Sequence, residues 1–347
     1  MKVLFNTSRG SFGKMGGGEV QMLETRKELE RKGHKVEILE MKGYGTAFSG
    51  FDLFHNFNIH RDNFSLVKKA KDEGLPVAVS TIYWPSLGSA FLWNQGFGRV
   101  KAVAAELSKR LDFFGITNVK RIVRMADVLL PNSLAEASAL ERVFGVSQKK
   151  IFVVPNGVDK RFAKARPDDF ESKFGLRDFV LYVGRIEPRK NVLSLIRAMG
   201  KIDRKLVVIG KETPESLAYG RKCREEAGDN VLFLKPLPHE SGLLGSAYAA
   251  CSVFCLPSWY ETPGLAALEA GLAGAKVVVT DRGATKEYFG DNALYVDPSK
   301  VVDIREKIEK SLASGGSPGL QRHIEKKFLW KSAAEETEKA YASILGV

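Results

Sequence analysis

The chain reads as an α/β protein built from two parallel-sheet domains, and three observations predict this. Strand-like and helix-like segments alternate from one end to the other, the pattern of parallel α/β layers. At 347 residues the chain exceeds the usual reach of one hydrophobic core, so two domains of ordinary size are the natural division. Hydrophobic residues make up 44%, enough for two cores, and no apolar run reaches the length of a membrane span.

The first expected domain covers 1–160. Its strands fall at 2–5, 35–39, 52–55, 77–81, 128–131 and 151–154, with helices between them such as 19–32 and 100–112. The opening run Lys2 to Phe5 turns polar at Asn6, so it reads as a first strand and not as a secretion signal. A linker rich in Asn, Gly, Asp and Pro spans 156–166. The second domain, 167–328, has expected strands at 179–183, 205–209, 231–233, 252–256, 276–279 and 293–296. The three cysteines, Cys223, Cys251 and Cys255, show no metal-ligand spacing. Two of them lie in an apolar run, so buried thiols in a reducing, cytoplasmic setting are expected.

Pro257 to Glu269 reads P-S-W-Y-E-T-P-G-L-A-A-L-E between the apolar run 251–256 and the helix-like run 265–273. Glu261 and Glu269 flank a strand-to-helix turn whose apex is shaped by Pro263 and Gly264. Exposed N–H groups at a helix start, here near Gly264 and Leu265, suit a phosphate. Ionised carboxylates only accept hydrogen bonds and so suit hydroxyl-rich ligands. A molecule with a sugar, a diphosphate and a ribose fits that order, and an acidic pair capping an ordinary βα turn is the plain alternative.

The run 179–183 leads straight into G-R-I-E-P-R-K-N, Gly184 to Asn191, and then a helix-like run 192–199. Arg185 and Lys190 are thereby expected at the carboxyl edge of a parallel sheet, where open α/β sheets bind ligands. Two cations there match the charge that builds on a departing diphosphate.

The glycine loop 10–18 also joins a strand to a helix. A dinucleotide fingerprint starting at Gly16 and Gly18 needs a glycine where Gln21 stands, and Lys14-Met15 lacks a P-loop ending. The loop remains a place where backbone N–H groups approach an anion closely.

With these motifs in this order, the chain resembles glycosyltransferase family 4, whose fold is GT-B, two Rossmann-like domains facing across a cleft. Glu261 and Glu269 match the family's E-x7-E signature, and Arg185 and Lys190 match its diphosphate-binding pair. The likeness extends through V-V-P-N-G-V-D at 153–159, D-R-G-A-T-K-E at 281–287 and F-L-W-K-S-A-A-E-E-T from Phe328. It implies a helix at 331–347 that returns to the first domain, and a glycine loop, Gly16, Gly17 and Gly18, lying against the donor diphosphate. Donor contacts are implied for Gly184, Pro263, Gly264, Leu265 and Glu269.

The activity implied is retaining transfer of a hexose from a nucleoside-diphosphate sugar, UDP- or GDP-linked, to a hydroxyl of a glycan, lipid-linked or small-molecule acceptor. Arg185, Lys190 and Glu261 are the catalytic set. No metal or other cofactor is expected, and the chain contains no Asp-x-Asp. The family's histidine after strand 77–81 is missing here, where Ile82, Tyr83 and Trp84 stand; His55, at the expected end of strand 52–55, is the substitute. Tyr83 and Trp84 are candidates to stack on a sugar face or to pack between domains. A degenerate relative that binds nucleotide sugars without turnover is the alternative.

The net charge is +12. Seven cations from Arg99 to Arg124, among aromatics including Phe91, Trp93, Phe97, Phe113 and Phe114, allow peripheral contact with the inner face of an anionic membrane. Solvated helix faces over an aromatic core explain the same pattern. No nucleic-acid motif accompanies the charge, so nucleic acid is not an expected partner.

Overall fold

The computed structural model describes the chain apart from residues 15, 44, 84–117, 317 and 347. Its described residues fall into two compact units, one made of 1–83, 118–157 and 330–346 and the other of Val158–Leu329.

In the first unit β1 (Lys2–Asn6), β2 (Lys35–Ile38), β3 (Leu53–Phe57), β4 (Val77–Ser80) and β5 (Val128–Leu129) form one sheet in the order β2-β1-β3-β4-β5. Every neighbouring pair is parallel. Parallel neighbours need crossovers, and the helices Gly17–Arg31 and Phe64–Asp72 supply two of them. Leu4, Phe54, Val77, Val79, Ile122, Leu129 and Leu140 form the centre of one apolar core. The expected strand 151–154 shrinks to a bridge between Ile151 and Leu129. Val154 N–H still donates to Pro131 O at 2.9 Å, but Pro131 has no N–H to return. The helix Trp330–Leu345 packs against Gly17–Arg31, where Glu338 pairs with Lys32 at 2.9 Å and His34 at 2.5 Å.

The second unit contains β6 (Phe179–Val183), β7 (Leu206–Ile209), β8 (Val231–Leu234), β9 (Cys251–Leu256), β10 (Lys276–Thr280) and β11 (Leu294–Val296). Their order is β11-β10-β9-β6-β7-β8, again all parallel. From β6 the chain proceeds outward to β7 and β8; from β9 it proceeds the other way to β10 and β11. The order therefore reverses between β6 and β9, the position where open α/β sheets leave a crevice at their carboxyl ends. Both carboxylate- and cation-bearing motifs follow these two strands.

Among the described residues, no helix is long and apolar enough to cross a membrane. The expected basic, aromatic region runs to Arg124, and its part from Phe91 to 117 lies outside the described residues, as does Trp84. Of its later cations, Arg121 and Arg124 are exposed on the helix Asn118–Met125, whose Ile122 and Val123 enter the core. The Arg121 guanidinium lies over the Phe64 ring, 4.1 Å from its centre.

Candidate active site

The turn after β6 is held by close backbone approach. Gly184 has φ +153°, and its carbonyl oxygen would lie 1.9 Å from a Cβ at Gly210, so a side chain at 210 is excluded. Tyr182 Oη donates to Arg185 O at 2.7 Å, and Ile186 N–H donates to Lys211 O at 2.9 Å. Asn191, with φ +58°, closes the turn as a tolerated left-handed residue. Its buried amide donates to Pro257 O (3.1 Å) and Pro298 O (2.8 Å), tying the turn to the end of β9. Trp259 N–H adds a bond to Arg189 O at 2.9 Å.

This stitching brings Lys190 Nζ to 2.5 Å from Glu261 Oε1. Arg189 stands 3.8 Å from the same oxygen and donates to Tyr260 O at 3.3 Å. Glu261 is only 3% exposed. Its backbone is fixed from the far side, since its N–H donates to Arg282 O (3.3 Å) and its carbonyl accepts from Ala284 N–H (2.9 Å). Gly283, at φ +97°, makes that approach feasible, because a Cβ there would lie 1.9 Å from Glu261 O. Burial favours the neutral carboxyl of Glu261, but the Lys190 and Arg189 charges outweigh it and hold the group below its ordinary value. Burial likewise draws the Lys190 ammonium down, opposed by the Glu261 carboxylate. The result is an ionised acceptor beside two cations at the mouth of the reversal point.

Gly264, at φ +75° and ψ +65°, starts the helix Leu265–Leu272. Its carbonyl accepts from Ala267 and Leu268 N–H, while the N–H groups of Leu265 and Ala266 precede any intrahelical acceptor. Pro263 is buried behind them. Glu269 lies inside this helix, 7% exposed, and accepts from Tyr248 Oη at 2.7 Å and from His239 Nε2 at 2.8 Å. That bond to Glu269 is the main reason the His239 pKa is raised, against the opposing effect of burial.

Lys190, Glu261, Pro263, Gly264 and Leu265 thus sit along one edge with Glu269 one helix turn further in. Arg185 is placed differently: its side chain is 48% exposed and lies 3.7 Å from Glu187, while Arg189 occupies the place beside Glu261. Arg189 lies within G-R-I-E-P-R-K-N, next to Lys190. His239 and Tyr248 carry no spacing that singles them out, and their role emerges only from the fold.

Gly16 precedes the helix Gly17–Arg31, and Glu19 Oε2 accepts from Gly16 N–H at 2.9 Å, as a helix-start carboxylate. Gly17 and Gly18 form its first turn, and a Cβ at Gly18 would touch Ile82 Cδ1 at 3.2 Å. His55 departs from the expected catalytic placement. β3 runs two residues beyond the expected end, which puts His55 in mid-strand and only 1% exposed. Its Nδ1 meets Tyr341 Oη at 2.6 Å and its Nε2 meets Ser80 Oγ at 2.9 Å, with the Phe57 ring stacked 4.1 Å away. Burial pushes its pKa down to about 3. A neutral imidazole with both nitrogens engaged is a core group. Tyr83 is likewise a core residue, 5% exposed and edge-on to Phe144 at 5.1 Å, and not a sugar platform.

Comparison with known proteins bears on this architecture directly. The family model for Glycosyltransferase Family 4 matches residues 15–162, and that for Glycosyl transferases group 1 matches 166–327. The chain belongs to glycosyltransferase family 4. It is 32% identical over 251 residues to a D-inositol 3-phosphate glycosyltransferase of Kribbella flavida, a match covering 64% of this chain and 58% of that protein. The chain thus spans little more than half of that relative's length. A similarly named protein of Stackebrandtia nassauensis is 25% identical, with 96% of this chain and 88% of that one covered. Among solved structures, sucrose-phosphate synthase from Thermosynechococcus elongatus superposes over 100% of both chains with a TM-score of 0.81 at 19% identity. Anabaena HepE, solved with UDP and glucose, covers 99% of this chain and 100% of its own with a TM-score of 0.72 at 18% identity. These structures share the GT-B fold with this chain.

Proposed function

We propose that the protein transfers a hexose from a nucleoside-diphosphate sugar to an acceptor hydroxyl with retention of configuration and without a metal. The observation that carries this reading is the buried Lys190–Glu261 pair at the strand-order reversal, beside a glycine-started helix. Burying such a pair costs desolvation that mutual attraction scarcely recovers, so folding alone gives little reason to keep it.

In this reading Glu261 accepts hydroxyls of the donor sugar, and Glu269 accepts the ribose diol. The N–H groups of Leu265 and Ala266 meet the diphosphate, joined by Lys190 and Arg189 and by the more exposed Arg185. The acceptor oxygen forms a bond to the anomeric carbon on the face from which the nucleotide leaves. The bond from that carbon to the β-phosphate oxygen breaks, and this oxygen takes the acceptor's proton. Such a route needs orientation and cationic stabilisation of the departing diphosphate, not a protein base. It accommodates the burial of His55 and the isoleucine at 82. The names of the relatives make a phosphorylated polyol a first acceptor class to test.

The test is thermal stabilisation in EDTA by UDP, GDP and their hexose conjugates, followed by transfer assays with inositol phosphates and sugar phosphates. A ligand that binds only the native state raises apparent stability. Stabilisation by one nucleotide series, lost in Glu261→Gln, supports the reading; stabilisation that needs added divalent metal overturns its metal-free part.

A further inference from the structure

Glu269 is held from behind by a chain of donors that the transfer reaction itself does not call for. Tyr248 Oη occupies its Oε2 at 2.7 Å and His239 Nε2 its Oε1 at 2.8 Å. His239 is fixed in turn by Arg161, whose Nη2 lies 3.2 Å from Nδ1 and 2.6 Å from the His239 carbonyl oxygen. A guanidinium can only donate, so Nδ1 accepts and Nε2 carries the hydrogen that Glu269 receives. Arg161 is itself anchored by Glu240 and stands 4.8 Å over the Phe162 ring, which packs edge-on to both Tyr248 (5.6 Å) and His239 (6.0 Å). Five side chains from the 159–164 turn, the 239–240 loop and the helix Gly242–Ala250 are thus linked, and two of them, His239 and Tyr248, bond the one carboxylate.

We propose that the Arg161–His239 pair, together with Tyr248, is a positioning device that locks the rotamer of Glu269 and so sets recognition of a vicinal diol on the nucleotide. An ionised carboxylate offers about four lone-pair sites. Two are taken by Tyr248 and His239, and the remaining pair matches two adjacent hydroxyls. The planar guanidinium fork fixes the imidazole plane, and the imidazole fixes the carboxylate plane. This inference rests on the reading of Glu269 as the ribose contact.

The experiment is calorimetric titration of the full chain with UDP and GDP and with their 2′-deoxy counterparts, comparing wild type, His239→Gln, His239→Phe, Arg161→Leu and Glu269→Gln. The readout is the ratio of ribo to deoxy affinity, which a general loss of stability leaves unchanged. Wild type favours the ribonucleotide by about tenfold or more, the size of a hydrogen bond to a charged group. His239→Phe brings the ratio to within about twofold of unity, whereas His239→Gln retains it because its amide still donates to Oε1. Arg161→Leu leaves the ring in place and lowers the ratio less, which keeps the proposal testable if His239→Phe does not fold. A wild-type ratio in both His239→Phe and Arg161→Leu, or an equal loss for both ligands, overturns the positioning role. A wild-type ratio in Glu269→Gln, or no binding of either nucleotide to wild type, overturns the ribose reading beneath it and this inference with it.

Discussion

The two sheets share one plan and use it differently. Each reverses its strand order between two central strands, β1 and β3 in the first unit and β6 and β9 in the second. Around β6 and β9 the polar groups follow the strands, on turns, and they are charged: Lys190 meets Glu261 with Arg189 alongside. Around β3 the polar group lies within the strand, and it is neutral: His55 is bracketed by Tyr341 and Ser80. A chemistry-bearing residue on a turn can be held ionised by neighbours while one side stays open to a ligand. The same kind of residue inside a strand, covered by the helix Trp330–Leu345, becomes part of the packing.

The comparison breaks most easily through activity. Glu261→Gln should lower kcat/KM for transfer by about 10²–10³-fold, the size seen when one preorganised charge or donor is removed, measured under saturating acceptor. His55→Gln should stay within about threefold of wild type per folded molecule, because its ring touches no open site. Equal losses in the two variants would erase the distinction between them.

Gly283→Ala attacks the backbone that presents Glu261. The added Cβ would meet Glu261 O, at a φ that L-residues rarely adopt, and the expected destabilisation is about 1–3 kcal/mol with weakened donor binding. Urea unfolding and nucleotide titration on the same preparation measure the two effects; unchanged donor affinity would show that the Glu261 backbone is not set by this contact.

Acid separates the clusters by window. The folded pKa of His55 is depressed from 6.5 to about 3, so between these values the unfolded chain binds a proton that the native one refuses. Stability therefore falls as pH drops below about 6.5, by up to about 1.4 kcal/mol per pH unit from this group. Melting midpoints of wild type should decline more steeply from pH 6 to 4 than those of His55→Gln. Glu261 is held below its ordinary 4.5, so its contribution is present above that value and is lost as pH falls through the lower folded one.

The smallest effect expected is that of Tyr341→Phe, which removes one hydrogen bond to His55 Nδ1. It should cost about 0.5–1.5 kcal/mol in chemical denaturation and leave kcat/KM unchanged. A large activity loss here would return His55 to the active site.

Much of this was legible from residues alone. The alternation of segments predicted parallel α/β layers, and the run 179–183 matches β6 residue for residue. Gly264 was readable as the apex before a helix. What misled was the length of β3. Asn56 and Phe57 follow His55 without a turn residue, and a polar asparagine reads as a strand end although here it is buried. The place of Arg189 beside Glu261 was hidden for a related reason. Two arginines in one turn are equivalent in sequence, and only the direction of the chain at Pro188 to Asn191 sends one toward Glu261 and the other to solvent.

The sequence by itself determined the layer pattern, the family and the two motifs that bracket the strand-order reversal, because periodicity, glycine placement and motif spacing are local properties of a chain. Only the tertiary structure decided which cation pairs with Glu261, that Tyr248 and His239 hold Glu269, and that His55 is sealed in a core. Those outcomes depend on contacts between residues 21 to 286 positions apart, where burial and partner geometry, and not residue type, set whether a polar group is poised or merely packed.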